Sequence, residues 1–369
     1  MNKAFSLYLD FTRIGASALV FLAHARYSRF TNGWLDPIGA YGLEAVMLFF
    51  VLSGIVIAYV VSEKETTPLA YFSSRFTRLY SVVIPAILIT LVADIIGAYL
   101  YPIEYNTNWY ASPYLLLNIV INFLFLNEIW FASVQLFSNS PFWSMGYEFW
   151  YYMLYGALIF TKRYARIVLL LLICLLIGPK ILLLFPLWLA GVFIYHFSKR
   201  RLVSIPLGCL YFLGSILIFM LMDHYKVHDY CDAKTAALLG SSLFNKLSWS
   251  QSFIYCDLLG ILISFHYIGF LGLAPVLSPI IQRFKKPIQY LAVYTFPLYL
   301  LHYPLLHFFA ALIKAQPSRL FDEALILVAT LICVWLAGNA IERKKGKLKT
   351  EIDKILNRVS KKMPYLRLS

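Results

Sequence analysis

Long apolar segments follow one another along nearly the whole chain, each close to the roughly 20 residues that a bilayer-spanning helix needs. Of the 369 residues, 61% are hydrophobic and 14% charged, whereas soluble domains carry about 25% charged residues. This composition excludes a soluble enzyme, a disordered chain and a small disulfide-rich secreted module. The segments predict an all-α integral membrane protein with about ten transmembrane helices, near residues 10–28, 41–61, 79–101, 142–160, 165–179, 181–197, 205–222, 253–281, 288–313 and 324–341.

The basic residues predict how these helices are oriented. Lys and Arg number 32 against 18 acidic residues, a formal net charge of +14. Because Lys and Arg concentrate in cytoplasmic loops of membrane proteins, we interpret the surplus as an orientation signal and expect no nucleic-acid partner. Most of the basic residues fall on one side if residues 114–131 form a re-entrant or interfacial segment on the outer side instead of a span. Both termini are then predicted to be cytoplasmic.

Two regions follow from this layout: a transmembrane domain at residues 1–341 and a basic amphipathic cytoplasmic tail at residues 342–369. In the tail, apolar residues recur at helical spacing among lysines, which is typical of a helix on the anionic inner leaflet. A solvated basic tail is the alternative. Membrane lipid is therefore an expected partner. The five cysteines show neither a CxxC pair nor a metal-ligand spacing, so neither a disulfide nor a bound metal is expected.

Charged side chains inside a span are costly, which makes them candidates for function. The first span contains Arg13 and His24, eleven residues apart. Three helical turns separate them, so they share one helix face about 16 Å apart along the axis. Such a pair suits a reaction that reaches across the membrane. The alternative is structural: Arg13 extends to the interface and pairs with Asp10, while His24 is a hydrogen-bonded histidine of the bundle.

The next polar groups lie in the second span and the loop after it. Ser53 and Gly54 end a Phe-Phe-Val-Leu-Ser-Gly run, where small residues allow close helix packing and the Ser53 hydroxyl could bind a ligand. Arg75 and Arg78 lie one turn apart before the third span. Two such guanidinium groups can bind a phosphate, although ordinary orienting charge is the alternative.

The fourth and ninth spans carry further candidates. Glu148 follows a group of aromatic residues in the fourth span, where a carboxylate can orient a histidine or accept a proton. His302 lies between Pro297 and Pro304 in the ninth span. These prolines predict a kink or break, which usually faces a cavity, so His302 is expected to line one.

In this order, the motifs resemble those of the membrane acyltransferase 3 family, and the resemblance covers roughly residues 6–341. The chain resembles the stand-alone type, which lacks a C-terminal esterase-like domain. It departs from the family pattern at Met47, where members often have an acidic or polar residue; Glu44, one turn earlier, could substitute. The matching residues are Arg13 and His24, Phe49–Gly54, Arg75 and Arg78, Trp143-Ser144 with Glu148, and Tyr299, His302 and Pro304.

The resemblance implies an O-acyltransferase that moves an acyl group, acetyl by default, from cytoplasmic acyl-CoA to a sugar hydroxyl of an envelope polysaccharide or glycolipid. Acetyl-CoA is then a co-substrate, and a bacterial inner membrane is the expected location. The predicted catalytic residues are His24, Arg13, Glu148 and His302. Donor binding is assigned to Arg75, Arg78, Arg13 and Ser53. Acceptor binding is assigned to Trp143, Trp109, Trp130 and Tyr299.

Two mechanisms and three functions stay open from the sequence. His24 either takes the proton of the acceptor hydroxyl directly, or His24 or Ser53 is first acylated and passes the group on. The acceptor step involves this domain alone or a separate periplasmic partner, and a homo-oligomer is a further option. A secondary transporter or a flippase for lipid-linked glycans is the second function, although no inverted repeat is visible. A membrane scaffold or sensor is the third, but leaves the Arg13–His24 face unexplained.

Overall fold

The computed structural model describes residues 2–105, 114–313 and 319–362. This part of the chain is built of helices, and among its residues there is no β-strand, only an isolated bridge between Leu136 and Asn139. The long helices are α1 (Lys3–Ala25), α2 (Gly42–Glu63), α3 (Pro68–Leu100), α4 (Trp143–Phe160), α5 (Arg163–Ile177), α6 (Phe185–Arg200), α7 (Ile205–His224), α8 (Phe253–Arg283), α9 (Thr295–Leu312) and α10 (Leu320–Lys362). The short helices are Asp36–Gly39, Pro102–Tyr105, Leu115–Phe123, Pro179–Leu183, Val227–Leu239, Ser241–Lys246 and Lys285–Ala292, with 3-10 turns at Ser140–Phe142 and Ser248–Ser250.

The all-α membrane fold is confirmed: within the described residues, eight helical segments are long and apolar enough to cross a bilayer. Each of the ten predicted spans overlaps a long helix, and α4 and α5 are the two that fall outside these eight. Tyrosine and tryptophan side chains and Glu148 make α4 less apolar, and α5 has only 15 residues. The number of ten spans and the cytoplasmic termini stay predictions.

The segment at residues 114–131 does not form one long helix. Its helix, Leu115–Phe123, has nine residues, about 13 Å in length, against the roughly 30 Å of a hydrocarbon core. The chain then leaves the helical conformation, and a buried ion pair between Glu128 and Lys180 attaches it to the helix Pro179–Leu183. Whether this segment lies at the membrane interface stays a prediction.

Two predicted boundaries lie differently in the structure. The predicted span 288–313 is divided at residues 293–294, just before Pro297, whereas the helix continues through Pro304. The boundary between domain and tail, at residues 341 and 342, falls inside α10, which runs without interruption to Lys362. The apolar and the basic parts of this region are therefore one helix.

Helix α2 contacts α6 backbone to backbone. A Cβ atom added at Gly54 would lie 2.0 Å from the carbonyl oxygen of Trp188, and one added at Gly191 would lie 2.1 Å from that of Val51. Such distances are far inside van der Waals contact, so only glycine fits at either position. The predicted close helix packing is thus confirmed for Gly54.

The central helices bring the polar residues of the sequence motifs toward one another. Helix α1 packs against α2 and α9, and α3 packs against α9 and α10. Buried aromatic side chains fill much of the space between them, including Phe50, Tyr147 and Tyr151. The faces of α1, α2, α3, α4, α9 and α10 that remain open enclose the cavities described next.

Candidate functional site

Two cavities lie within the helix bundle and share two wall residues. The larger has a volume of about 590 Å³ and is lined by Arg13, Arg75 and Arg78; we call it the basic cavity. The smaller has a volume of about 200 Å³ and is lined by His24; we call it the histidine cavity. Val46 and Tyr299 line both. The two cavities therefore approach each other across these side chains.

His24 of α1 and His302 of α9 form a hydrogen-bonded pair. Each Nδ1 atom faces a main-chain carbonyl oxygen, which can only accept: His24 Nδ1 is 2.9 Å from Val20 O, and His302 Nδ1 is 2.7 Å from Leu298 O. Both neutral imidazoles therefore carry their proton on Nδ1. His302 Nε2 is then an acceptor, 3.1 Å from His24 Nδ1. This arrangement leaves a lone pair on His24 Nε2, as a general base requires.

Aromatic side chains surround His24. The ring centroid of Tyr303 is 4.6 Å from that of His24. Tyr27 lines the histidine cavity together with His24. Trp143 and Trp249 line the same cavity and stack on each other with a centroid distance of 5.0 Å and an interplanar angle of 5°. Trp249 is a residue that the sequence interpretation missed, because it lies in a short turn far from the motifs.

A network of hydroxyl groups and one carboxylate forms part of the wall of the basic cavity. The Ser53 hydroxyl donates to Glu148 Oε1 at 3.1 Å and accepts from Trp188 Nε1 at 3.1 Å. The Tyr152 hydroxyl also donates to Glu148 Oε1. Ser53 and Glu148 line the basic cavity but not the histidine cavity. The Ser53 hydroxyl is thus already engaged as both donor and acceptor.

The two arginines of the third helix have different surroundings. Arg75 is 5% exposed, and its Nη2 donates to both carboxylate oxygens of Glu65, at 2.8 and 2.9 Å. Arg78 contacts the ring of Phe296 at 6.0 Å. Among the described residues, no hydrogen bond or ion pair engages the Arg78 guanidinium, and its Nε is buried. Arg78 is therefore the cation more available to an anionic ligand.

The contacts of Arg13 agree with both roles considered for it, a structural ion pair and ligand binding. Its Nη1 is 3.4 Å from Asp10 Oδ1, which is the pairing that a structural role predicts. Arg13 also lines the basic cavity, as a binding role requires. The ion pair is long and engages only Nη1, so the rest of the guanidinium is able to contact a ligand in the cavity.

The structure brings the predicted site residues together in two groups. The first group lines the histidine cavity and consists of His24, Trp143 and Tyr299. His302 is not in this lining but is hydrogen-bonded to His24. Trp130 lines neither of the two cavities; its Nε1 donates to Leu175 O at 3.0 Å. Trp109 lies outside the described residues. The basic cavity holds the remaining predicted residues, Arg13, Ser53, Arg75, Arg78 and Glu148, and is also lined by Tyr299.

The helices and the two cavities define a multi-pass membrane protein in which a hydrogen-bonded histidine pair lies beside a cation-lined cavity. The chain belongs to the acyltransferase 3 family, because residues 6–338 match the family model described as an acyltransferase domain. This match covers nearly the whole chain and supports a membrane acyltransferase. No curated protein and no solved structure matched the chain.

Proposed function

We propose that the chain transfers an acyl group, acetyl by default, from cytoplasmic acyl-CoA to a sugar hydroxyl of an envelope polysaccharide or glycolipid. The observation that carries the proposal is the free lone pair of His24 Nε2 in a cavity that shares Val46 and Tyr299 with the basic cavity. The donor, a polyanion, suits the basic cavity. The acceptor sugar suits the histidine cavity, where aromatic rings can stack on it. Bacterial inner membrane is the proposed location.

The chemistry that fits this geometry is a direct transfer. His24 Nε2 takes the proton of the acceptor hydroxyl while the hydroxyl oxygen attacks the thioester carbonyl carbon. The carbon–sulfur bond then breaks, and the imidazolium returns the proton to the thiolate, so that an ester and free CoA are formed. His302 Nε2 accepts from His24 Nδ1–H and holds the imidazole in the required tautomer. His302 is therefore a positioning residue.

Ser53 is a poor candidate for a covalent relay. Its side chain lines the basic cavity and not the histidine cavity, so it lies away from the proposed acceptor. Glu148 shares that cavity with Arg13 and Arg78, so we assign it to the donor side and not to direct assistance of His24. A relay in which His24 itself is acylated uses the same lone pair. It differs from direct transfer because acylated protein should accumulate when acyl-CoA is supplied without acceptor.

The proposal is tested by following acetyl-CoA in membranes that contain the chain. Both release of the free CoA thiol and entry of labelled acetyl into envelope glycan are expected, and neither in membranes without the chain. Absence of both, with envelope glycan supplied and the chain present at normal levels, would contradict the acyltransferase and favour the transporter or flippase.

Replacement of His302 tests its positioning role. His302→Leu removes one of the two acceptors of His24 Nδ1–H and leaves the Val20 carbonyl oxygen, and we expect kcat to fall about 10- to 100-fold, less than the loss of the base itself. His302→Gln retains an amide oxygen that can accept, so it should recover part of kcat. KM for acyl-CoA should stay unchanged in both variants. Equal activity of the two variants would show that His302 only fills space.

The two arginines of α3 should respond oppositely to the same substitution. Arg78→Gln should raise KM for acyl-CoA about tenfold, through loss of a charge-assisted contact, with no change in thermal stability. Arg75→Gln leaves the buried Glu65 carboxylate without its partner, which costs about 3 kcal/mol of stability. Melting temperatures and acyl-CoA titrations of both purified variants check this. A stability loss confined to Arg78→Gln would reverse the assignment.

A further inference from the structure

One stripe of the C-terminal helix forms a wall of the basic cavity. The cavity-lining residues of α10 are Gly338, Ile341, Glu342, Lys345, Gly346 and Lys349. They recur every three or four residues and therefore lie on one helix face. The family match ends at residue 338, so most of this stripe lies beyond the matched region. The apolar and basic parts of α10 form one continuous helix, which carries the lysines of the tail to the cavity.

The position of this stripe is fixed by contacts on both sides of it. A Cβ atom at Gly338 would lie 2.8 Å from the ring of Tyr294, so the helix packs closely there. Further along, the Ser73 hydroxyl of α3 donates to the Asp353 carboxylate of α10. Between these contacts, nothing lies within 4 Å of a Cβ built at Gly346. Contacts near both ends of the stripe thus hold the helix, and it borders open space at Gly346.

The two lysines of the stripe add positive charge to this open space. Lys345 Nζ is 3.2 Å from Glu342 of the same helix, and that pair is about half exposed, so it is weak. In the described ranges, Lys349 has no hydrogen-bond or ion-pair partner. Both face a cavity that Arg13 and Arg78 also line. The cations of this wall therefore outnumber its carboxylates, Glu148 and Glu342, which favours a ligand with several negative charges.

We propose that Lys345 and Lys349 bind the phosphate groups of the acyl-CoA nucleotide, and that the C-terminal helix is thereby a part of the donor site. This inference rests on the proposed function. It goes beyond the expectation of a tail helix on the inner leaflet, since the lysines that line the cavity are on a different face from Lys344 and Lys347. Anionic lipid headgroups offer the same phosphate chemistry, and the experiment separates the two sources.

The experiment measures CoA binding by calorimetry with the full chain in nanodiscs of zwitterionic lipid, which removes anionic headgroups. The double variant Lys345→Gln/Lys349→Gln should bind CoA about tenfold more weakly than the native chain. Its binding should also depend less on salt, because fewer charges take part. The matched control is Lys344→Gln/Lys347→Gln, which removes the same charge from the same helix outside the cavity and should bind CoA within about twofold of the native chain.

Three results would overturn the inference. Native affinity in the Lys345/Lys349 variant would show that these lysines do not contact CoA. An equal loss in the control variant would show a general charge effect. Competition of anionic lipid with CoA in the native chain, lost in the Lys345/Lys349 variant, would assign the lysines to headgroups. Failure of the native chain itself to bind CoA would instead refute the proposed function, so the two failures are distinguishable.

Discussion

Replacement of His24 by Ala is expected to reduce acyl transfer about 10²- to 10⁴-fold, the contribution of a positioned general base. The variant removes the only lone pair that the His24–His302 pair presents to the histidine cavity. Because His24 is far from the cations of the basic cavity along α1, CoA binding should be retained. The measurement is label transferred from acetyl-CoA to envelope glycan in membranes with matched expression.

The control for this variant is His224→Ala. His224 ends α7, is exposed and lines neither of the two cavities, so its loss should leave transfer within about twofold of the native rate. Transfer that persists in His24→Ala would demote His24 to a structural role and direct attention to Glu148 and His302. Loss of CoA binding together with transfer would indicate a damaged fold instead of a missing base.

Replacement of Gly54 or Gly191 by Leu should prevent α2 and α6 from packing. A leucine at either position would place its Cβ about 2 Å from a main-chain oxygen of the other helix. The main chain cannot move aside as a flexible side chain can. Overpacking of this kind costs about 3 kcal/mol or more. Because Ser53 and Trp188 are hydrogen-bonded across the same contact, the wall of the basic cavity should be lost as well.

Gly214→Ala provides the comparison, since Gly214 lies within α7 and a Cβ there meets nothing within 4 Å. This change should leave stability equal or raise it by up to about 1 kcal/mol. Thermal unfolding in detergent and the size-exclusion profile report both effects. A native melting temperature for Gly54→Leu and Gly191→Leu would mean that the two helices can separate without cost, contrary to the geometry.

The parts of this architecture that are local in sequence could be predicted well. Helix length and hydropathy are properties of neighbouring residues, so each predicted span overlaps a long helix. The shared face of Arg13 and His24 follows from helical periodicity alone. The break before Pro297 was predicted only approximately, because it lies at residues 293–294 and Pro304 leaves its helix intact.

The environment of each site residue depends on contacts between distant segments, which periodicity does not report. Arg75 and Arg78 look equivalent in sequence, yet Glu65 pairs with Arg75 and leaves Arg78 facing the cavity. His302 reaches His24 across 278 positions. Sugar stacking by Trp143 stays a prediction, but its stacking on Trp249 could not be predicted from the sequence. A tail helix at the lipid surface stays a prediction, but the sequence did not indicate that one face of this helix lines the basic cavity.

The wall residues shared by the two cavities also bear on how a membrane stays sealed. Under the proposed function, the basic cavity opens to the cytoplasm and the histidine cavity to the outer side. Val46 and Tyr299, which line both, would then stand in the thinnest part of the insulating layer, where the electric field across a polarised membrane concentrates. The Tyr299 hydroxyl is held by Ser144 at 2.7 Å, which limits how far this layer can open. In that arrangement a small uncharged acyl group would cross between the cavities, while the ionic donor stays on its own side and the ion gradient is preserved.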